Sequence, residues 1–179
     1  MTLTSKQKGV LKGIIPGVGI TVIVVFAAIF VNPLKLSTDI SMVERIAFVI
    51  KIDLILLIWL TLSIARLARH RFFSADDIDG GGLTPGTEKA NILQSTLQNT
   101  LEQTVLAIFV HLVWAVMIPA NWLSTIPAAM ILFMCGRIMF LRGYGQGAPA
   151  RAPGFALTFY PSVLLLLIIV LVYVLRLFL

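Results

Sequence analysis

The chain has 179 residues, of which 59% are hydrophobic and only 12% are charged. Soluble globular domains are about 45–50% apolar, so this composition excludes a soluble protein and indicates an integral membrane protein. A spanning helix needs about 20 residues, which leaves room for four or five helices in one bundle and none for a separate soluble domain. The net charge of +6 comes mostly from cations that meet the lipid bilayer at the ends of apolar segments, so we expect no nucleic-acid partner.

Five membrane helices are predicted in chain order. They run over about residues 13–31, 41–69, 88–118, 123–144 and 155–177. Ser41 and Glu44 form a capping-box pattern at the start of the second helix. The segment 72–87, FFSADDIDGGGLTPGT, is predicted to be a solvated loop, and the stretch GYGQGAPARAPG is predicted to be a connector before the last helix.

The distribution of Lys and Arg predicts the orientation of the chain, because cytoplasmic ends of membrane helices are enriched in these residues. With a cytoplasmic N-terminus, the cations near helix ends on the inside are Lys6, Lys8, Lys12, Arg66, Arg69, Arg71, Lys89, Arg142 and Arg151. Those on the outside are Lys35, Arg45 and Arg176. This bias predicts a multi-pass protein of a bacterial inner membrane with its N-terminus in the cytoplasm.

Polar residues gather near the predicted cytoplasmic side of three helices. Asn99 and Glu102 are three positions apart on the third helix and share a face. Arg66, Arg137 and Tyr144 come near the cytoplasmic ends of the second and fourth helices. An ionisable group inside a membrane costs at least ~2.5–3.5 kcal/mol by insertion scales, so each of these groups needs a partner.

The number of guanidinium groups predicts the kind of partner. Glu102 alone cannot neutralise Arg66, Arg137 and Arg151, so the surplus positive charge suits an anionic ligand held by bidentate contacts. A ligand with two carboxylates and one ammonium would fit, with the ammonium on Glu102. The alternative is a Glu102–Arg137 ion pair that only joins the third and fourth helices.

Three short segments carry a family resemblance. LQNTLEQ on a helix that enters the membrane is followed one helix later by GRIMFLRGYGQG and then by ARAPGF. Over about residues 55–178 this order resembles the membrane-associated proteins in eicosanoid and glutathione metabolism (MAPEG), which are trimeric four-helix enzymes that bind glutathione between protomers. The resemblance implies an all-α membrane bundle and a homotrimer. Residues 39–179 would form the four-helix core, and residues 1–38 would add the N-terminal tip and one extra helix.

The resemblance also implies the roles of individual residues. The glutathione-binding residues would be Arg66, Asn99, Glu102, Arg137 and Tyr144. Arg151 falls where leukotriene synthases that conjugate glutathione keep the arginine that stabilises the thiolate. A free thiol has a pKa of about 8.5, and an adjacent guanidinium lowers it, which raises the reactive fraction at neutral pH. The implied function is that of a glutathione transferase or peroxidase acting on a lipophilic electrophile, with no metal.

Two other functions stay open at this point. Many MAPEG members carry arginines at the positions of Ser95 and Gln98, and a tyrosine or histidine at the position of Phe140. Because of these departures, a non-catalytic scaffold is one alternative function. A small transporter in which Glu102 and Asp53 couple a substrate to protons is the other alternative, although the sequence has no internal repeat.

Four further features have simpler expected roles. His111 is predicted to form a hydrogen bond between helices. Asp53 is predicted to bond to Asn99, Ser95 or a neighbouring subunit. The acidic loop around Asp77 is expected to be solvated. Cys135, the only cysteine, is expected to be a small buried hydrophobic residue.

Overall fold

The computed structural model describes residues 2–178, and within them it forms five long α-helices and no strand. The helices are α1 (Ser5–Val31), α2 (Met42–Phe72), α3 (Glu88–Met117), α4 (Thr125–Gly143) and α5 (Ala148–Phe178). Short 3₁₀ turns, Ala120–Trp122 and Tyr144–Gln146, flank α4. With these turns included, every helix is long and apolar enough to cross a membrane. The prediction of an all-α membrane bundle is confirmed.

Side-chain caps explain where the first three helices begin. Thr4 and Gln7 form a reciprocal capping box at the start of α1. Ser41 and Glu44 form the predicted capping box at the start of α2. The Thr87 hydroxyl accepts a hydrogen bond from the backbone N–H of Ala90 at the start of α3. Each cap satisfies backbone donors that have no partner within the helix.

Two helices begin well before their predicted starts. α1 begins at Ser5, eight residues before the predicted start, and continues through Pro16. α5 begins at Ala148, seven residues before the predicted start, so the connector shrinks to residues 144–147. Pro149 fits the first turn of α5 because a backbone N–H at that position would have no helical partner.

α5 is the central helix of the bundle: it packs against α1, α3 and α4, while α2 packs mainly against α3. Small residues allow the closest of these approaches. A Cβ atom at Gly154 of α5 would lie 2.3 Å from the backbone nitrogen of Phe140 on α4. A Cβ atom at Gly17 of α1 would lie 2.5 Å from the Cβ atom of Ala156 on α5. Membrane helices commonly associate through such small-residue contacts.

The end of the bundle at which α1, α3 and α5 begin and α2 and α4 end is called the basic end. Gly9 lies beside Pro149, and Gly143 beside Ala150, which brings three of these helix ends together. Away from the basic end, an apolar cluster that includes Trp114, Ile118 and Leu165 is buried. The nine cations predicted for the cytoplasmic side all belong to the basic end. Cys135 on α4 is exposed in the single chain, so the expectation that it is buried is wrong.

Candidate functional site

Arg137 on α4 is the most deeply buried cation of the described chain, with 0% of its surface exposed. Its Nη2 atom donates a hydrogen bond of 2.9 Å to Oδ1 of Asn99, and its Nη1 atom donates one of 3.2 Å to the hydroxyl of Thr100. Both partners are on α3. The interaction therefore joins α3 to α4 and orients the guanidinium group.

Aromatic rings, rather than acids, surround the rest of this guanidinium. Its Cζ atom lies 4.4 Å from the centre of the Phe140 ring and 5.8 Å from that of Phe133. Within residues 2–178 no carboxylate comes within ion-pair distance of Arg137, and its Nε atom has no hydrogen-bond partner. A buried cation normally has a counter-ion, and no acid of the described residues provides one for Arg137.

Tyr144 and Arg151 continue the site toward the basic end. The guanidinium of Arg151 stacks over the Tyr144 ring, with its Cζ atom 4.4 Å from the ring centre. Tyr144 packs edge-on against Phe140 at a centroid distance of 5.4 Å. Arg137, Phe140, Tyr144 and Arg151 thus form a continuous row from α4 to α5, here called the arginine–aromatic row.

Two of the predicted site residues lie apart from this row in the single chain. Glu102 is exposed and accepts a hydrogen bond of 2.9 Å from Nε2 of Gln98. Arg66 is exposed and lines a separate cleft between the end of α2 and the start of α3. The Glu102–Arg137 ion pair, considered as an alternative above, does not form among the described residues.

An apolar cleft of about 220 Å³ lies next to Arg151. It is lined by Val10, Ile14, Phe140, Ala148, Arg151, Ala152 and Phe155. Val10 precedes the predicted start of the first helix at residue 13, and Ile14 lies in the first turn of that predicted helix. α1 therefore provides one wall of a cleft whose other walls come from α4 and α5, and the sequence pattern did not indicate this contact.

Comparison with known protein families identifies the chain. The family model for the MAPEG family matches residues 46–171, which cover most of α2, all of α3 and α4, and most of α5. The chain belongs to the MAPEG family. Searches of the curated proteins and of the solved structures found no match. The matched MAPEG residues include the whole arginine–aromatic row, whereas α1 precedes them.

Glu102 of this MAPEG chain lies on an apolar, exposed face of α3. Leu101, Val105 and Phe109 are also exposed there. Glu102 is 14 residues after Glu88, about 21 Å along the helix axis. A carboxylate on an apolar face of a membrane helix is costly against lipid.

The structure also shows polar contacts that the sequence did not assign correctly. Asp53 bonds to His111, not to Asn99 or Ser95, with 2.7 Å between Oδ1 and Nδ1. The expectation that His111 joins two helices is confirmed, since the pair connects α2 to α3. In the sequence, the only indication of the Asp53–His111 contact was that each of these polar residues lies within an apolar segment.

Asp77 is buried in the MAPEG chain, whereas Asp76 and Asp79 are exposed, so the expectation of a solvated acidic loop is wrong for Asp77 alone. Its Oδ1 atom accepts a 2.7 Å hydrogen bond from the backbone N–H of Thr87, while its Oδ2 atom bonds to Ser74, Thr87 and His70. The N–H of Thr87 has the largest effect in holding the pKa of Asp77 well below its usual range, against the opposing effect of burial. The Ser74 and Thr87 hydroxyls and the His70 ring lower this pKa further. The α2–α3 loop is thereby fastened to both helices.

Proposed function

We propose that this MAPEG protein is a membrane-embedded, glutathione-dependent transferase or peroxidase that acts on lipophilic electrophiles or hydroperoxides. The observation that carries the proposal is the buried Arg137 guanidinium, which no carboxylate neutralises within residues 2–178. Asn99 and Thr100 already hold this group in place, so a ligand carboxylate would meet a pre-oriented cation.

The residues present fit glutathione, which carries two carboxylates and one ammonium group. Arg137 would bind a carboxylate, Asn99 would bond to the peptide backbone and Glu102 would receive the ammonium group. The Tyr144 hydroxyl is a further hydrogen-bond donor for the peptide. Arg66, which lies outside the arginine–aromatic row, would contribute its charge across a subunit boundary.

When bound, glutathione would supply the thiol that attacks the electrophile. Arg151 is the residue proposed to act on this thiol, because a guanidinium beside a sulfur favours the thiolate. The Tyr144 ring supports the Arg151 side chain from one side. The apolar cleft beside Arg151 would hold the lipophilic substrate, with Val10 and Ile14 of α1 in contact with it.

A homotrimer, the assembly implied by the family resemblance, would bring the separated residues together. The exposed α3 face around Glu102 is the proposed subunit contact, since burial against protein removes the cost of exposing this carboxylate to lipid. We further propose that the basic end faces the cytoplasm of a bacterial cell, in agreement with its excess of Lys and Arg.

The proposal is tested by isothermal titration of glutathione in detergent, together with conjugation of a chromogenic electrophile. We expect Glu102→Ala to weaken thiol affinity about tenfold, as for one charge-assisted bond, and Arg151→Ala to lower turnover with little change in affinity. Arg142→Ala, at an exposed cation of the same end, should change neither quantity. Absence of heat and of competition up to millimolar glutathione would rule out the enzyme.

The transporter alternative receives less support from the geometry. The two residues proposed to couple protons are not in contact. Asp53 is buried against His111, whereas Glu102 is exposed on α3. The scaffold alternative predicts a protein that folds normally and binds no thiol. The titration described above separates it from the enzyme.

A further inference from the structure

A cleft of about 560 Å³ opens at the basic end between the last turns of α2 and the first turns of α3. Its lining residues are Arg66, Arg69, His70, Phe73, Ser74, Lys89 and Leu93. Three permanent cations and a histidine therefore surround one shallow space. We call it the basic cleft.

The cations of the basic cleft have no acidic partners. Among residues 2–178, the only ion pairs are His70–Asp77 and His111–Asp53, so Arg66, Arg69 and Lys89 pair with no carboxylate. Asp77, the buried acid nearest to the cleft, is fully engaged by Ser74, Thr87 and His70. The positive charge of the cleft is therefore available to an anionic ligand from outside the chain.

The Asp77 contacts also give the cleft a defined shape. They join Ser74 and His70, which line the cleft, to Thr87 at the start of α3. The backbone that carries Arg69 and Lys89 is consequently held on both sides of the opening. Fixing this backbone lowers the conformational entropy that is lost when the cleft binds an anion.

The surroundings of the basic cleft indicate where the anion comes from. Phe73 and Leu93 give the cleft an apolar part. Leu62, Ile58 and Leu54 follow one another at four-residue spacing along α2 away from Arg66, and about half of each side chain is exposed. Residues four apart share a helix face, so an apolar track leads from the cleft toward the membrane interior. An anionic group would fit the cations of the cleft, and a hydrocarbon chain attached to that group would fit the apolar track of α2.

We propose that the basic cleft binds the phosphate group of an anionic phospholipid, with an acyl chain along the apolar track of α2. Arg69 and Lys89 contact the phosphate, and Phe73 covers the glycerol region. Basic pockets between helices at a membrane face are suited to such headgroups. The same phosphate chemistry is present in free inorganic phosphate, which lacks the chain that the apolar track accommodates.

Native mass spectrometry of the full-length protein tests the proposal. The protein is mixed in detergent with equal amounts of phosphatidylglycerol and phosphatidylcholine, and the lipids retained per chain are counted. We expect a preference for phosphatidylglycerol that falls about tenfold or more in the Arg69→Gln/Lys89→Gln variant, because each cation near a headgroup contributes several-fold to binding. The Lys8→Gln/Lys12→Gln variant removes the same charge at the same end, outside the cleft, and should keep the preference.

Two further arms make the test decisive. The Arg69→Lys/Lys89→Arg variant keeps both charges and should retain phosphatidylglycerol, which separates loss of the site from loss of folding. Inorganic phosphate at tens of millimolar should leave the lipid bound, and its displacement of the lipid would overturn the assignment to a phospholipid. Equal retention of both lipids by the unmodified protein, or equal losses in the two glutamine variants, would overturn the site itself. Arg66 is unchanged throughout, so these results are independent of thiol binding.

Discussion

The Nδ1 atom of His111 lies 2.7 Å from the Oδ1 atom of Asp53, which joins α3 to α2 between two apolar helix segments. Both residues are buried, with 2% and 5% of their surfaces exposed. The Oδ2 atom of Asp53 has no other partner among the described residues. The pair is therefore the main polar connection between α2 and α3 at this depth.

Removing one member of this pair should destabilise the protein. Asp53→Ala would leave the His111 nitrogen without a partner, and an unsatisfied buried polar group costs about 1–3 kcal/mol. We expect a lower Tm in detergent for Asp53→Ala. The double variant Asp53→Leu/His111→Leu removes both polar groups and should recover much of the loss.

Lys51 offers a matched control for the Asp53 prediction. It is an exposed charge two residues earlier on the same helix, and Lys51→Ala should leave the Tm nearly unchanged. If the double leucine variant is no more stable than Asp53→Ala, the loss of mutual hydrogen bonding does not explain the destabilisation. Such a result would contradict this account of the pair's role.

The close contact of α4 and α5 predicts a strong effect at Gly154. A Cβ atom there would lie 2.3 Å from the Phe140 nitrogen and 2.6 Å from the Gly136 oxygen, so Gly154→Ala must push the two backbones apart. Overpacking of this kind costs about 1–3 kcal/mol, and we expect a Tm lower by several degrees.

Gly19 on α1 is the control for Gly154. No atom lies within 4 Å of a Cβ built there. Gly19→Ala should therefore keep or slightly raise the Tm, since alanine favours the helix by up to about 1 kcal/mol over glycine. Equal responses of the two variants would show that α4 and α5 do not touch at Gly154.

Much of the fold could be predicted because membrane helices are defined by long apolar segments. The start of α3 at Glu88 and the capping box of Ser41 and Glu44 are local features, and both agree with the structure. The start of α5 was missed because Pro149 and Pro153 were interpreted as breaks. Proline in a first helical turn loses no hydrogen bond, so Pro149 does not end the helix, and α5 also continues through Pro153 in its second turn.

The candidate site was less predictable because it depends on how helices are rotated and paired. Asn99 and Glu102 are three residues apart, which places them about 60° apart around α3. That difference is enough for Asn99 to contact Arg137 while Glu102 is exposed. The partner of Asp53 likewise depends on the α2–α3 register, which the loop between these helices sets and no local pattern reveals.

The loop contacts of Asp77 predict a dependence on pH. Because the pKa of this carboxyl is lowered in the folded protein, its contribution to stability is complete above the usual Asp range of about 4 and is lost as the pH falls below it. Asp77→Asn should abolish this acid dependence. It should also speed hydrogen exchange in residues 74–88 at neutral pH, measured by mass spectrometry.

Asp76→Asn is the control for the loop prediction, because Asp76 is the exposed neighbour of Asp77. This variant should exchange at the rate of the unmodified protein and keep its response to acid. Slow exchange in the Asp77→Asn variant would mean that other contacts hold the loop.

The cleft beside Arg151 predicts that α1 influences substrate choice. Ile14 lines this cleft from the α1 side, and Ile14→Ala would enlarge it by three carbon atoms. We expect the ratio of kcat/KM values for a bulky and a small aryl electrophile to rise about tenfold, the discrimination typical of a few methylene groups. The affinity for glutathione should stay constant, because Ile14 lines the apolar cleft and is not among the residues proposed to bind glutathione.

Ile15→Ala separates a specific effect of the cleft from a general effect of α1. Ile15 is 66% exposed and is not among the residues that line the cleft, although it is the adjacent residue of the same helix. Its replacement should leave the ratio of kcat/KM values unchanged. If both alanine variants shift this ratio equally, α1 acts through the stability of the bundle. If neither does, the lipophilic substrate binds elsewhere, and the extra helix has no part in substrate selection.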